Sequence, residues 1–470
     1  MALELEDIQA LILSGHAHLG YSCYLLLQVT DAPRAKQWVA AIRGDVTSAR
    51  RRAPRVAKPH TALHIGFSSQ GLKALGVPED SRETFSLEFQ EGLADPERCR
   101  ILGDTGDSAP SKWVWGGSPE SEAHAVLMLY ARDAPTLEAF CAEQRRRYQE
   151  AGGIREIACE ESVAAKDHKE PFGFLDGVAQ PTVEGGLYKE VPGELPIRAG
   201  EFILGYLNEY DTLPFTPTVA SSLDLAGVLP AVTGDPTRRD LGRNGSYLVF
   251  RKLAQDVSGF WKYLEERAQK LYGKRDQATV TWLAAKSVGR WPSGAPLVLS
   301  PEKDDPALGA DSQRNDDFQY AATDRGGFAC PIGAHIRRAN PRDTLSDDPQ
   351  EAMKVARRHR IIRRGRPYRR LAAANHVVSE QGIFFIAINA NLRRQFEFIQ
   401  QTWLNNPKFG GSYEDKDPLV GDNDGTFIMT IPAHPVRERL HNLPRFVQVR
   451  AGGYFFLPGI RALGFLASLP

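Results

Sequence analysis

Cysteine is scarce in this chain: 470 residues hold five, Cys23, Cys99, Cys141, Cys159 and Cys330. They are odd in number, scattered and never spaced as CxxC. That argues against a disulfide framework and against zinc or iron–sulfur sites, and fits structural thiols in a reducing compartment. Long apolar runs are missing as well. The longest candidates, residues 383–388 and 454–457, have strand length, far short of the ~20 residues that a membrane helix requires. The N-terminus carries Glu4, Glu6 and Asp7 where a secretory or twin-arginine signal has basic residues, so the reading is a cytoplasmic protein. Neither charge is in excess. With 58 Lys and Arg against 58 Asp and Glu, the broad cationic field of a nucleic-acid or membrane-surface binder is excluded.

What is present is an ordinary globular composition, 42% hydrophobic and 25% charged, able to bury a large core. Single cores seldom grow past roughly 250 to 300 residues, so two domains are expected. One alternation runs through the chain twice. In the first half residues 22–29 read as a strand, 33–42 as a helix, 61–67 as a strand with a short helix from Ser69, 123–131 as a strand, 135–148 as a helix and 154–159 as a strand. In the second half 246–252, 382–389 and 446–453 read as strands, and 257–271 and 392–403 as helices. The order predicts an α+β protein of two ferredoxin-like domains, residues 1–240 and 241–470, each an antiparallel sheet covered by helices. A cavity can form between sheet and helices.

Three long irregular stretches, 167–201, 210–245 and 292–341, interrupt this pattern, and loops of that length inside a compact protein are often functional. The first holds Gly173-Phe174-Leu175-Asp176-Gly177, followed by Gln180-Pro181. Two glycines let the backbone turn tightly and present Asp176 to a pocket, where a carboxylate can accept and return a proton; a plain surface turn is the alternative. The last holds Gly333-Ala334-His335-Ile336-Arg337-Arg338-Ala339-Asn340-Pro341-Arg342. Small residues before His335 leave room for a flat ligand at its ring, and the arginines can pair with carboxylates on that ligand, as haem would require. A core histidine beside an exposed basic loop is the competing reading. Solvated faces are the default for the arginine runs at 50–55 and 357–370, but Ile361 and Ile362 before Arg363 suggest a strand that takes one guanidinium inward, with Asp176 as a candidate partner.

Taken in order, these segments, with Ile362-Arg363-Arg364-Gly365 and Pro367-Tyr368, closely resemble the dye-decolorizing peroxidases over nearly the whole chain, in the form of the longer bacterial subgroup related to the fungal enzymes. The resemblance implies haem b (iron protoporphyrin IX), held mainly by the C-terminal domain with His335 as axial ligand of the iron, and Asp176 and Arg363 on the distal face. It further implies Arg337, Asn340 and Arg342 near the haem edge, and Leu175, Gly177 and Ala179 against the porphyrin. Ile383 and Phe385 would shape the distal pocket. Asp417 is the expected acid on the other nitrogen of His335, with Asp422 or Asp424 as alternatives.

The implied reaction reduces hydrogen peroxide and oxidises bulky aromatic donors such as anthraquinone dyes and phenols through a ferryl haem, with Trp261, Trp282, Trp291, Trp403, Tyr320 and Tyr368 as possible relays from the surface. Arg366 and Arg369 depart from the family pattern and would make the distal entrance more cationic. A haem-processing, iron-releasing lyase and a non-enzymatic haem carrier are the rival functions.

Overall fold

The computed structural model describes residues 2–51, 57–187, 195–371 and 378–469; positions 52–55 of the first arginine run lie outside them. From the first half come strands β1 (Tyr21–Val29), β2 (Thr61–Phe67), β3 (Ala125–Ala131) and β4 (Ile154–Val163). A small sheet follows, of β5 (Thr218–Ala220), β6 (Ala231–Val232) and β7 (Asp235–Asp240). The second half adds β8 (Ser246–Gln255), β9 (Ile362–Arg363), β10 (Arg366–Leu371) and β11 (Val378–Asn389). A hairpin of β12 (Met429–Ile431) and β13 (Glu438–Leu440) precedes β14 (Val447–Leu457).

The two halves share one antiparallel sheet, in the order β10-β11-β8-β14-β2-β3-β1-β4, with β9 on β11. The join is narrow, a single pairing of Phe67 with Phe456. The sheet curls until its end strands meet: Ser162 Oγ on β4 donates to the Pro367 carbonyl on β10 at 2.6 Å. The α+β reading therefore holds, with the strands forming a barrel.

Curling explains why the strands read as unbroken apolar runs instead of alternating ones. Both faces are covered, so successive residues enter two different cores. Cys23, Leu25 and Leu27 of β1 face the helices Ala32–Ile42 and Ala134–Ala151. Tyr24 and Leu26 point into the barrel, where the Tyr24 ring lies 5.1 Å from Phe250 and 5.5 Å from Phe384 of the other half. Aspartates cap the principal helices, Asp31, Asp133 and Asp256 each accepting a backbone N–H of the first turn.

The expected helix at 392–403 forms with two wide turns, Glu397 N–H bonding the Leu392 carbonyl and Asn405 N–H that of Gln400. Such π-type turns are rare and favour functional sites. Helices Gln277–Val288, Pro349–Arg358 and Ile460–Ser468 were not anticipated. No helix among the described residues is long and apolar enough to cross a membrane.

Candidate active site

A cavity of about 370 Å³ opens between the outer face of β8, β11 and β14, the helices and loops of the second half, and two first-half segments, residues 102–108 and the loop 170–180, within the size range usual for cofactor sites. His335 stands on its wall at the start of the short helix His335–Ala339. Its Nδ1 meets Asp417 Oδ2 at 2.9 Å. Asp417 is fully buried, and its Oδ1 accepts the N–H groups of Leu419 and Val420 at 2.9 and 2.8 Å. Burial works against a charged His335, but the Asp417 carboxylate outweighs it and raises the imidazole above its ordinary pKa. Burial likewise opposes the charged acid, but His335, the Val420 N–H and the Arg338 guanidinium together hold Asp417 below the usual carboxylate value. A carboxylate on Nδ1 selects the tautomer with its proton there, leaving the lone pair on Nε2. The alternatives are engaged elsewhere: Asp422 pairs with Lys416 at 2.8 Å and Asp424 accepts from Thr426.

Asp176 and Arg363 both line this cavity. The loop carrying Asp176 turns through Gly173 and Gly177, at φ 100° and 82°, where a side chain would be strained. Asp176 keeps open surface, and its Oδ1 accepts the Gly177 N–H at 2.6 Å. Strand β9, paired at Arg363 with Ala387, carries Arg363 inward beneath the loop. There is no ion pair between the two side chains among the described residues. Instead Arg363 Nη2 donates to the Val178 carbonyl at 2.6 Å, and the Arg363 N–H donates to Gln180 Oε1 at 3.0 Å. Burial pushes the guanidinium below its ordinary pKa while Asp176 and Asp316 draw it back. Loop and arginine thus fix one another.

Leu175, Gly177, Ala179, Asn340, Arg342, Ile383 and Phe385 also line the cavity. Alternation on β11 sends Ile383 and Phe385 outward to it, and Phe384 and Ile386 into the barrel. Arg337 is not brought there. Its guanidinium is buried on Asp324 and on the carbonyls of Cys330 and Arg325, with the Tyr320 ring 4.2 Å away; it locks the loop behind His335. Arg366 also differs from expectation. It lies 7% exposed, bonding the carbonyls of Leu19 and His16, so it ties the N-terminal segment to β10 and adds no charge to an entrance. Of the six aromatic relay candidates, Trp291, Trp403, Tyr320 and Tyr368 are buried, and Tyr320 lines the cavity itself.

Sequence reasoning missed Arg290, Glu170 and Asp316. Arg290 lines the cavity, and it shares the Asp316 carboxylate with Arg342. Glu170, raised above its ordinary pKa by burial, accepts the N–H groups of Phe172 and Phe174, each at 2.9 Å, and braces the loop ahead of Asp176. A glutamate six residues before the aspartate was a usable signal for such a brace; nothing local marks Arg290 or Asp316.

A family model described as the DyP dimeric alpha+beta barrel domain matches residues 7–160. A dye-decolorizing peroxidase of Exidia glandulosa is 34% identical, over 98% of this chain and 87% of its own length. The multifunctional dye peroxidase DyP2 of Amycolatopsis sp. is 30% identical, over 100% and 96%. The crystal structure of a fungal DyP-type peroxidase from Auricularia auricula-judae superposes with a TM-score of 0.79 at 30% identity, covering all of both chains. With identity and coverage of this order, on a barrel that carries His335, Asp176 and Arg363 around one cavity, the chain belongs to the dye-decolorizing peroxidases and is a haem peroxidase.

Proposed function

We propose that the cavity would hold haem b, with His335 Nε2 as the protein's ligand to its iron, and that Asp176 and Arg363 would perform the chemistry of peroxide. The observation that carries this reading is the convergence on one cavity of three residues from separate segments. One is an imidazole whose Nδ1 is occupied by a buried carboxylate, and the others are an acid and a guanidinium with no ion pair between them. The donor set fits the group. Leu175, Ile383 and Phe385 give apolar walls for a flat ring, and the Arg290–Asp316–Arg342 cluster gives a cationic margin for its carboxylates. The C-terminal domain supplies most of these contacts.

When bound, haem would supply a redox-active iron and the capacity to store two oxidising equivalents. The chain's own residues do the rest. Asp176 takes a proton from one peroxide oxygen and returns it to the departing one. Arg363 stabilises the negative charge that grows as the O–O bond breaks. Glu170 and the Val178 and Gln180 bonds to Arg363 hold both groups in place before substrate arrives. Asp417 keeps a proton on His335 Nδ1 and makes Nε2 a stronger donor.

Hydrogen peroxide is the oxidant, and bulky aromatic donors such as anthraquinone dyes and phenols are the reductants, exchanging electrons one at a time. Purified, haem-loaded protein is expected to bleach an anthraquinone dye only when peroxide is present. Free protoporphyrin released without peroxide, or haem handed on with no dye turnover, would instead establish the lyase or the carrier. A carrier has no use for an acid and a guanidinium brought to the same cavity.

The loop also makes a steric prediction. Gly294 sits at φ +96°, and an added Cβ would stand 2.6 Å from Leu175 Cδ2, while the Leu175 N–H is bonded to the Pro292 carbonyl at 3.2 Å. Gly294→Ala should cost about 1–3 kcal/mol in backbone strain and push Leu175 off its seat. The expected result is a lower Tm with reduced haem stoichiometry; wild-type values for both would mean that Leu175 does not position the ring.

A further inference from the structure

Three of the five cysteines come together far from the cavity. Cys23 on β1, Cys159 on β4 and Cys141 on the helix Ala134–Ala151 meet where the sheet packs against that helix. The Cys23 and Cys159 sulfurs are 3.3 Å apart. Cys23 is fully buried, whereas Cys159 is half-buried. We propose that Cys159 and Cys23 are a peroxide-oxidisable dithiol, with Cys159 as the attacking sulfur and Cys23 as the resolving one.

The microenvironments differ as those two roles require. The Cys159 thiol is held below its ordinary pKa by the hydrogen bond from Cys23, with help from the neighbouring Arg145 guanidinium and opposition from burial and Glu161. Cys23 is driven upward by its hydrogen bonds to Cys141 and Cys159 and by burial. A partly accessible, low-pKa thiol beside a second thiol is the arrangement that peroxide oxidises selectively. Cys99 and Cys330 are buried and have no thiol neighbour among the described residues; burial raises them to about 12 and about 11.

Cys23 pairs with Glu161 and Cys159 with Leu25, so the two cysteines are diagonal neighbours on one face, their sulfurs already 3.3 Å apart, and closing to an S–S length of about 2.05 Å requires a local backbone shift along the strand pair. The register of β4 with β1 already shifts at Leu26 and Leu27, next to the pair, so the ladder there is irregular.

The chemistry balances with the oxidant this enzyme meets as substrate. The Cys159 thiolate attacks one peroxide oxygen, the O–O bond breaks, and hydroxide leaves, with Cys159 now a sulfenic acid. The Cys23 sulfur then attacks the Cys159 sulfur, the S–O bond breaks, and water departs with the Cys23 proton. Two thiols lose two electrons, and one peroxide becomes, after the hydroxide is protonated, two waters.

The test is thiol titration and peptide mapping of the haem-loaded enzyme after a small excess of peroxide. The expected result is loss of two of the five thiols, a Cys23–Cys159 linked peptide, and recovery of both thiols with dithiothreitol. Cys159→Ser should abolish the loss, Cys23→Ser should leave a dimedone-reactive sulfenic acid at Cys159, and Cys141→Ser should keep the link. Arg145→Gln should slow the reaction about 3-fold, the net of a smaller thiolate fraction and a more nucleophilic thiolate for one pKa unit.

The loss should persist in His335→Ala, which separates it from oxidation driven by haem. Five titratable thiols after peroxide, or a link that runs through Cys141, would overturn the proposal. Cys159→Ser is expected to turn over dye at the wild-type rate, so the peroxidase reading stands or falls separately.

Discussion

Replacing His335 with Ala is expected to leave a folded barrel that no longer retains haem after desalting, with no spectral response to peroxide and no dye turnover. The position stands on a short helix at the cavity wall and makes one side-chain bond, to Asp417, so the barrel itself loses little. Asp417 loses more: its Oδ2 becomes a buried carboxylate oxygen without its hydrogen-bond donor, which costs about 1–3 kcal/mol when unsatisfied. A modest fall in Tm should therefore accompany the loss of haem. Asp417→Asn tests the same pair from the other side. The imidazole keeps a hydrogen-bond partner but loses its anion, and haem affinity should fall by about 10- to 100-fold, the usual effect of removing such a supporting acid. An intact peroxide response in the His335 variant would sink the ligand assignment.

The ordered motifs were legible because each is short and tied to local backbone geometry. Gly173 and Gly177 are where the loop needs positive φ, and the alternation of Ile383 and Phe385 against Phe384 and Ile386 follows from the pleat. Strand positions were readable for the same reason, and residues 61–67 form β2 without adjustment. What the sequence could not convey was which elements share an edge. The pairing of Phe67 with Phe456 joins segments almost 400 residues apart, and without it the two halves look like separate sheets. Arg366 was misjudged for a related reason. A charged residue in an arginine-rich run looks solvated, and only the closed barrel shows that the carbonyls of Leu19 and His16 are within its reach. Arg337 illustrates the limit of reading roles from proximity in sequence: two residues past His335 on a short helix, it faces the supporting loop and not the cavity.

Arg363→Leu and Asp176→Asn should divide the distal chemistry between two measurable steps. Removing the guanidinium deletes charge stabilisation at the breaking O–O bond, an effect of about 10²–10³ on the rate in comparable electrostatic sites. The same change deletes the Val178 bond but spares the backbone bond from the Arg363 N–H to Gln180, so the loop keeps one of its two bonds to Arg363, along with those from Arg360 to Ala179 and from Leu175 to Pro292. Haem stoichiometry should stay near wild type while the second-order reaction with peroxide slows strongly. Asp176→Asn keeps the size of the side chain and an oxygen that can still accept the Gly177 N–H, but removes the basic carboxylate, and loss of a positioned proton carrier costs about 10²–10⁴. With both residues assigned by the proposal to the same bond-breaking event without pairing directly, the double variant should be less impaired than the product of the single effects. Stopped-flow mixing with peroxide, monitored at the haem absorption band, reads all three variants. Wild-type rates in both single variants would remove this acid and this guanidinium from the reaction, and full additivity would mean that they serve different steps.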